Sequence, residues 1–391
     1  MRVTADTLAV TGPRMTDGRV SGFDTVDFTG LETAKNGSAL SVVDGTLKDL
    51  RVREGAGWFE GVGAFEFGAV RLSDGRADFT AAQVAGKGVS RARIDRLEIR
   101  EAEMRGGDVA VALGARSADR VTVDVMRVEQ ADFDDLQDLA RQESDPAPER
   151  VVAALRGDRL GSFEIEGLTS FRDGSEVGRL GSMQMSAMAG DDGALMFDLA
   201  YQDSVSNVGA GAGAFARPLE ALGYEELRAD GRTAMQWHPE NGTMTLERFE
   251  VDVAEMGALR ISAELADLPA PGAVDAASGR EEAMKAAIAG LSFSFTDAGV
   301  VDRAVRAGAE QAGEEASAYR ARQAAQIRRQ AEQRGSTELG EKIASFLENP
   351  GTIEVSMAPD RKVPAGQAAM AAMMRPGKLV ETLGLTVKVT P

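Results

Sequence analysis

From residue 1 to about 133 the chain places apolar residues two apart in short bursts, and no other feature restricts its fold more. The bursts are Leu8 and Val10, Val26 and Phe28, Phe65 and Phe67, Val70 and Leu72, Leu97 and Ile99, and Val121, Val123 and Val125. Side chains alternate across a strand, so each burst predicts a short strand with one face on a core. Turn signals punctuate the bursts at Thr16-Asp17-Gly18, Lys35-Asn36-Gly37, Asp44-Gly45, Ser73-Asp74-Gly75 and Gly106-Gly107-Asp108. The bursts follow no strict repeat, which favours an irregular rolled sheet over a solenoid of identical coils.

Two boundaries divide the rest. Residues 134–157 read as a helical linker: Asp134 opens one helix, Asp145-Pro146-Ala147-Pro148 breaks it, and a second stops at Gly157. Residues 158–268 read as an antiparallel sheet with one helix near Pro218–Arg228. Its strands carry Phe163 and Ile165, then Phe249, Val251 and Val253, then Leu259, Ile261 and Leu265. The Pro-rich loop from Pro269 to Gly279 is the second boundary, and residues 269–391 read as a helix-rich α+β region. There a strand at Leu291, Phe293 and Phe295 meets Asp297, a natural cap for one long helix from about Ala298 to Arg334. A helix over Thr337–Leu347, a strand at Ile353, Val355 and Met357, an Ala/Met helix over Ala365–Met374 and a strand at Leu385, Val387 and Val389 complete the chain. The expected fold is strand-rich α+β: an elongated or curved, mostly antiparallel sheet with inserted helices and a helix-rich C-terminal part.

Composition removes several chemistries. The 391 residues include no cysteine and one histidine, His238. Thiol catalysis, disulfide scaffolds, iron–sulfur sites and His-rich zinc sites are therefore excluded, and no cofactor is expected. A net charge of −18 with scattered basic residues disfavours nucleic acid as a partner. No 18-residue apolar run is present, so no transmembrane helix is expected. The first residues lack a signal-peptide pattern and enter strand-like alternation at once, as expected where a leader or anchor precedes Met1. Asp132, Asp134, Asp135 and Asp138 could gather calcium, but carboxylates at a helix start have a simpler role at the positive end of the dipole. His238, between Trp237 and Pro239 at a hairpin mouth, reads as a turn residue before it reads as a base. On the long helix, Glu310, Glu314 and Glu315 precede Arg320, Arg322, Arg328, Arg329 and Arg334, an order that suits its dipole. The same arginines could meet anionic lipid or an acidic partner.

Two phrases carry a resemblance. They are Met235-Gln236-Trp237-His238-Pro239-Glu240-Asn241-Gly242-Thr243-Met244-Thr245-Leu246, running on to Val253, and Met256-Gly257-Ala258-Leu259-Arg260-Ile261-Ser262-Ala263-Glu264-Leu265. Together with the segment from Phe346 to Val389, they resemble AsmA/TamB-like and YdgA-like envelope proteins of Gram-negative bacteria. That resemblance implies a periplasmic or envelope location, a long curved sheet with an apolar inner face, and lipid or an envelope protein as partner. It implies no catalytic residue. The expected activity is non-enzymatic, with a candidate apolar groove lined by Phe163, Ile165, Phe249, Val251, Val253, Leu259, Ile261 and Leu265. A secreted structural or adhesive protein is the alternative. A polysaccharide-active enzyme using paired acids is a third reading, poorly served by two Trp and three Tyr.

Overall fold

A computed structural model describes residues 2–35, 37–52, 60–90, 92–106, 118–132, 161–190, 193–211, 216–268, 286–368, 380 and 382–391. The helical linker expected at 134–157 and the loop expected from Pro269 to Gly279 lie outside these residues. Of the described residues 64% lie in strands and 19% in helices. The strands are β1 (Arg2–Thr4), β2 (Thr7–Thr16), β3 (Arg19–Lys35), β4 (Ser38–Arg51), β5 (Gly61–Ser73), β6 (Asp78–Ser90), β7 (Arg93–Arg105), β8 (Arg120–Asp132), β9 (Gly161–Arg172), β10 (Ser175–Ala189) and β11 (Leu195–Asn207). Short helices α1 (Val208–Gly211) and α2 (Ala216–Ala221) precede β12 (Glu226–His238), β13 (Thr243–Val253), β14 (Gly257–Ala266) and β15 (Ala287–Asp297). Helices α3 (Val300–Ala312), α4 (Ala316–Gln333) and α5 (Thr337–Glu348) follow, then β16 (Thr352–Met357), β17 (Val363–Pro364) and β18 (Leu385–Thr390). The chain divides into two compact units, one built on β1–β10 and the other on β12–β18 with α2–α5.

The first unit is an open antiparallel meander in which each strand from β3 to β9 pairs with the strands before and after it. These strands are longer than the bursts predict, because each one is bent twice and continues. The bends fall on residue pairs six apart: Asp6 and Gly12, Asp24 and Gly30, Val43 and Asp49, Gly63 and Ala69, Ala82 and Gly88, Asp95 and Glu101, and Asp124 and Gln130. In each pair the second residue has left-handed backbone, from Ala69 at φ 46° to Gly12 at φ 59°. The register keeps the same offset on both sides, as with Thr11↔Thr25 and Pro13↔Phe23 around Gly12 and Asp24. The bends therefore line up across neighbouring strands as two creases.

At a crease two successive residues face outward, so the inward residues step by two and then by three. On β7 they are Ile94, Leu97, Ile99, Ala102 and Met104; on β8, Val121, Val123, Met126, Val128 and Ala131. Inward side chains from both sides of a crease pack into one cluster. Ala81 lies with Val84, Ile99 with Ala102, Val123 with Met126, and Ile165 with Leu168. Val125, expected on the face of Val121 and Val123, stands on the opposite face because the crease at Asp124 intervenes.

Asp44-Gly45 is not a turn but mid-strand in β4. A Cβ on Gly45 would collide with the rings of Phe28 and Phe67, and one on Gly86 with Phe65. Glycine there makes room for aromatic packing, with Phe65 and Phe67 stacked at 4.8 Å.

In the second unit, β12–β16 form an antiparallel meander. β18 lies beside β16, and β17 beside one end of β15. The helix-rich C-terminal part is not borne out. Helices are few, and α3–α5 form one excursion between β15 and β16, which pair with each other directly. The long helix expected to Arg334 is two helices. Gly313 adopts left-handed backbone at φ 66° and terminates α3, with the Glu314 N–H donating back to the Ala309 carbonyl at 3.0 Å. Asp297 does receive the first turn of α3, accepting from the N–H groups of Gly299 and Val301, each at 3.0 Å. The helix near Pro218–Arg228 is shorter than expected, because β12 begins at Glu226. Of the expected Ala365–Met374 helix, only 365–368 are described, and these are helical.

The creases make a direct prediction. In Gly88→Ala the new methyl must enter left-handed backbone at φ 58° and displace the Asp95 carboxylate, which fills that space. Gly75 has φ 79° but nothing within 4 Å of its missing Cβ. Urea denaturation should show Gly75→Ala losing about 1–2 kcal/mol, the conformational cost alone, and Gly88→Ala losing clearly more. Removing Asp95 in a double mutant should recover the excess, and equal losses would contradict the account.

Candidate functional site

The candidate groove residues fall into two sets, one in each unit. Phe163 and Ile165 lie on β9, in two inward rows that cross the first unit between its creases. One row runs Val26, Leu47, Phe65, Gly86, Leu97, Val128, Phe163 and Met185; the other runs Phe28, Gly45, Phe67, Val84, Ile99, Met126, Ile165 and Met183. Ile165 is only 1% exposed and belongs to the core, whereas Phe163 is half-buried. The other members of these rows include residues that the sequence reading did not join to them. The signal that would have done so is the two-then-three spacing within each strand.

The remaining six candidates come together on β13 and β14. Val251 pairs with Leu259, Phe249 with Ile261, Val253 with Gly257 and Leu265 with Met244. The same face continues across the unit. One row is Val251, Leu259, Phe295, Ile353 and Val389; a second is Phe249, Ile261, Phe293, Val355 and Val387; a third is Leu246, Ala263, Leu291, Met357 and Leu385. Alternation along β13–β16 and β18, displaced once on β13 between Leu246 and Phe249, brings apolar residues to this face. All fifteen side chains in these rows are half-buried. Phe346 of α5 meets Phe295 edge-on, with ring centroids 6.2 Å apart. Two concavities of about 490 and 430 Å³ lie elsewhere, beside Thr4, Glu32 and Arg71 and beside Asp27, Thr46 and Lys48 on the first unit. Both are lined by a mixture of polar and apolar side chains, Ala34, Ala39 and Leu40 among them in the first and Ala64 and Phe65 in the second.

The outward face between the creases is ionic. Glu98, Arg127, Glu164 and Gln184 stand directly opposite one another on β7–β10. Glu98 receives Arg96 at 2.9 Å, Arg100 at 2.5 Å and Arg127 at 3.3 Å. Arg127 also donates to Glu164 at 2.9 Å and Glu166 at 2.7 Å, and Gln184 donates to Glu164 at 3.0 Å. The Arg96 hydrogen bond, aided by Arg100 and Arg127 and opposed by burial, holds the Glu98 carboxyl down to about 2. Arg127 depresses the Glu164 carboxyl and is itself held more firmly protonated by Glu164 and Glu166. The two carboxyls of this network whose titration is displaced, Glu98 and Glu164, are both displaced downward by the arginines that they accept from.

The helix arginines are largely engaged within the chain. Arg320 pairs with Asp302, Arg322 with Glu314 at 3.1 Å, and Arg328 with Glu341 and Glu348, both at 2.7 Å. His238 ends β12 opposite Thr243, in a turn where Asn241 Oδ1 accepts from the Thr243 N–H at 3.0 Å. Of the acidic cluster considered for calcium, Asp134, Asp135 and Asp138 lie outside the described residues. Among the described residues no three Asp, Glu or His side chains converge as metal ligands would.

A family model described as an uncharacterized protein matches residues 250–390, the stretch that holds β14–β18 and α3–α5. No curated protein matches the chain.

Two measurements bear on these groups. Because the Glu98 pKa lies below its ordinary 4.5, its contribution to stability is fully present above pH 4.5 and is lost as pH falls toward 2. Glu98→Gln should lower the urea midpoint at neutral pH and flatten its decline across that acid window. His238→Gln should change stability by less than about 1 kcal/mol, because Pro239, Asn241 and Gly242 set the geometry of its turn. Loss of function in that variant at unaltered stability would restore an acid–base role.

Proposed function

We propose that this is a non-enzymatic protein of the bacterial cell envelope whose apolar sheet face holds an acyl chain. The observation that carries the reading is the three-row face of the second unit. It extends over β13–β16 and β18, and its apolar side chains remain half-buried. Soluble proteins seldom leave a continuous apolar surface of this kind without a partner. An acyl chain suits it chemically, because the rows offer aliphatic and phenyl groups and no polar side chain to orient a polar ligand. The polar and ionic outward face of the first unit suits an aqueous compartment. The envelope location rests on the resemblance of the β12–β14 phrases to AsmA/TamB-like and YdgA-like proteins.

Protein purified from its native envelope should release lipid on organic extraction and show lipid adducts in native mass spectrometry. Val251→Glu should fold, by circular dichroism, and lose the lipid. Burying an unpaired carboxylate in a closed core costs more than the roughly 2–7 kcal/mol of a neutral polar group, so an unfolded variant would mean that the face is sealed. That result would end the proposal, as would absence of lipid from the native protein or undiminished lipid in the folded variant.

A further inference from the structure

Among the described residues of the second unit four cations are half-buried: Arg303, Arg320, Arg328 and Lys342. The three arginines are matched by carboxylates, Arg303 by Glu255, Arg320 by Asp302, and Arg328 by Glu341 and Glu348. Lys342 has neither an ion pair nor a hydrogen bond among the described residues. A partly buried ammonium in that position gives up some of its hydration and receives no counter-charge in return.

Its place on α5 sets what it can meet. Residues three and four apart share a helix face, so Lys342 and Ile343 both stand one turn before Phe346, whose ring meets Phe295 in the first apolar row. The helix also lies against β18, the last strand of those rows. Ile343 is 37% exposed, and no other large apolar side chain among the described residues of this unit is exposed. Beside the apolar face, then, α5 presents an uncovered aliphatic group and an unmatched cation at adjacent positions. An acyl chain covers the first, and an anionic end on that chain matches the second, with the lysine stem free to follow apolar surface up to its charge. A neutral or cationic head group would leave Lys342 as it is. The chain carries a net charge of −18, which repels anions at long range, so an anionic lipid is held only where a cation stands beside its head. We infer that Lys342 binds the anionic head group, carboxylate or phosphate, of the acyl chain proposed for this face. The inference rests on that reading and adds to it the class of lipid and the residue that holds its head.

Titration calorimetry of the delipidated full chain tests it with palmitate, cetyl alcohol and palmitoyl-lysophosphatidylglycerol. Wild-type protein should bind palmitate about tenfold more tightly than cetyl alcohol, which has the same chain length and no charge. Lys342→Gln should keep the circular dichroism spectrum, weaken palmitate and leave cetyl alcohol unchanged, so that the preference disappears. Lys342→Arg should restore it, and added salt should shrink it in the wild type. The lysophospholipid separates the two sources of anion: whichever of it and palmitate loses more affinity in Lys342→Gln carries the head group that Lys342 takes. Binding of neither palmitate nor cetyl alcohol to the wild type would end the acyl-chain reading itself, and this inference with it. Equal wild-type affinity for the two would overturn the assignment of Lys342 alone and leave the face a lipid site. So would a Lys342→Gln variant that weakens both alike or neither. Should that variant misfold, the wild-type comparison of palmitate with cetyl alcohol decides.

Discussion

The crease junction is the interaction on which the first unit depends. A left-handed residue within a strand is unfavourable for most side chains, and an added Cβ would meet the facing strand as well. At Gly12, Gly30, Gly88 and Gly167 both difficulties are relieved together: glycine accepts the backbone conformation, and an aspartate on the neighbouring strand fills the vacant space. The consequence reaches well beyond the junction. Because two outward residues occur in succession, a strand of thirteen residues such as β7 can keep its inward set on one core while changing course twice. Without the extra outward residue, Ala102 and Met104 would point away from the cluster that holds Ile99.

The second unit solves the same burial problem differently. Its register shifts by single residues, between Ala234 and Met235 and between Leu246 and Phe249, and does not crease. Alternation along β14, β15, β16 and β18 then leaves a broad apolar face that the sheet cannot fold over by itself. Helices supply part of the cover, and their own packing is close. A Cβ on Gly340 would strike Ala331, while Ala324 and Ala344 are fully buried. Arg328 ties α4 to α5 by donating to both Glu341 and Glu348, which keeps its guanidinium firmly protonated. Arg303 ties α3 to the β13–β14 turn, meeting Glu255 and lying over the Tyr224 ring at 4.4 Å. A surface rich in arginine and glutamate is thus largely occupied with holding the helices in place.

The strand-rich antiparallel class was legible in the sequence, because a period of two is a local property and needs no partner to be seen. So were the six candidates on β13 and β14, which alternate without interruption and meet on one face. The cap at Asp297 could also be read, since an aspartate at a strand-to-helix junction has few other uses. What alternation alone concealed was continuity. Phe65 with Phe67 and Val70 with Leu72 look like separate strands until Ala69 is known to be left-handed, and then they are one. Gly313 had the same effect in reverse, dividing a helix whose apolar spacing runs on past it.

Tertiary structure alone decided the pairing of distant residues. Glu98, Arg127 and Glu164 are ordinary charges in the sequence, and only a register spanning three strands makes them one network. Phe163 and Ile165 have the same spacing as Val251 and Val253, yet Ile165 is a core residue and Val251 only half-buried. The difference lies in what stands across from them. The creases bring inward residues on either side together over Ile165, whereas the uncreased sheet carries Val251 on a face that it cannot close. A sequence records which side chains seek burial; the backbone conformation of glycines and aspartates elsewhere in the chain determines which of them find it.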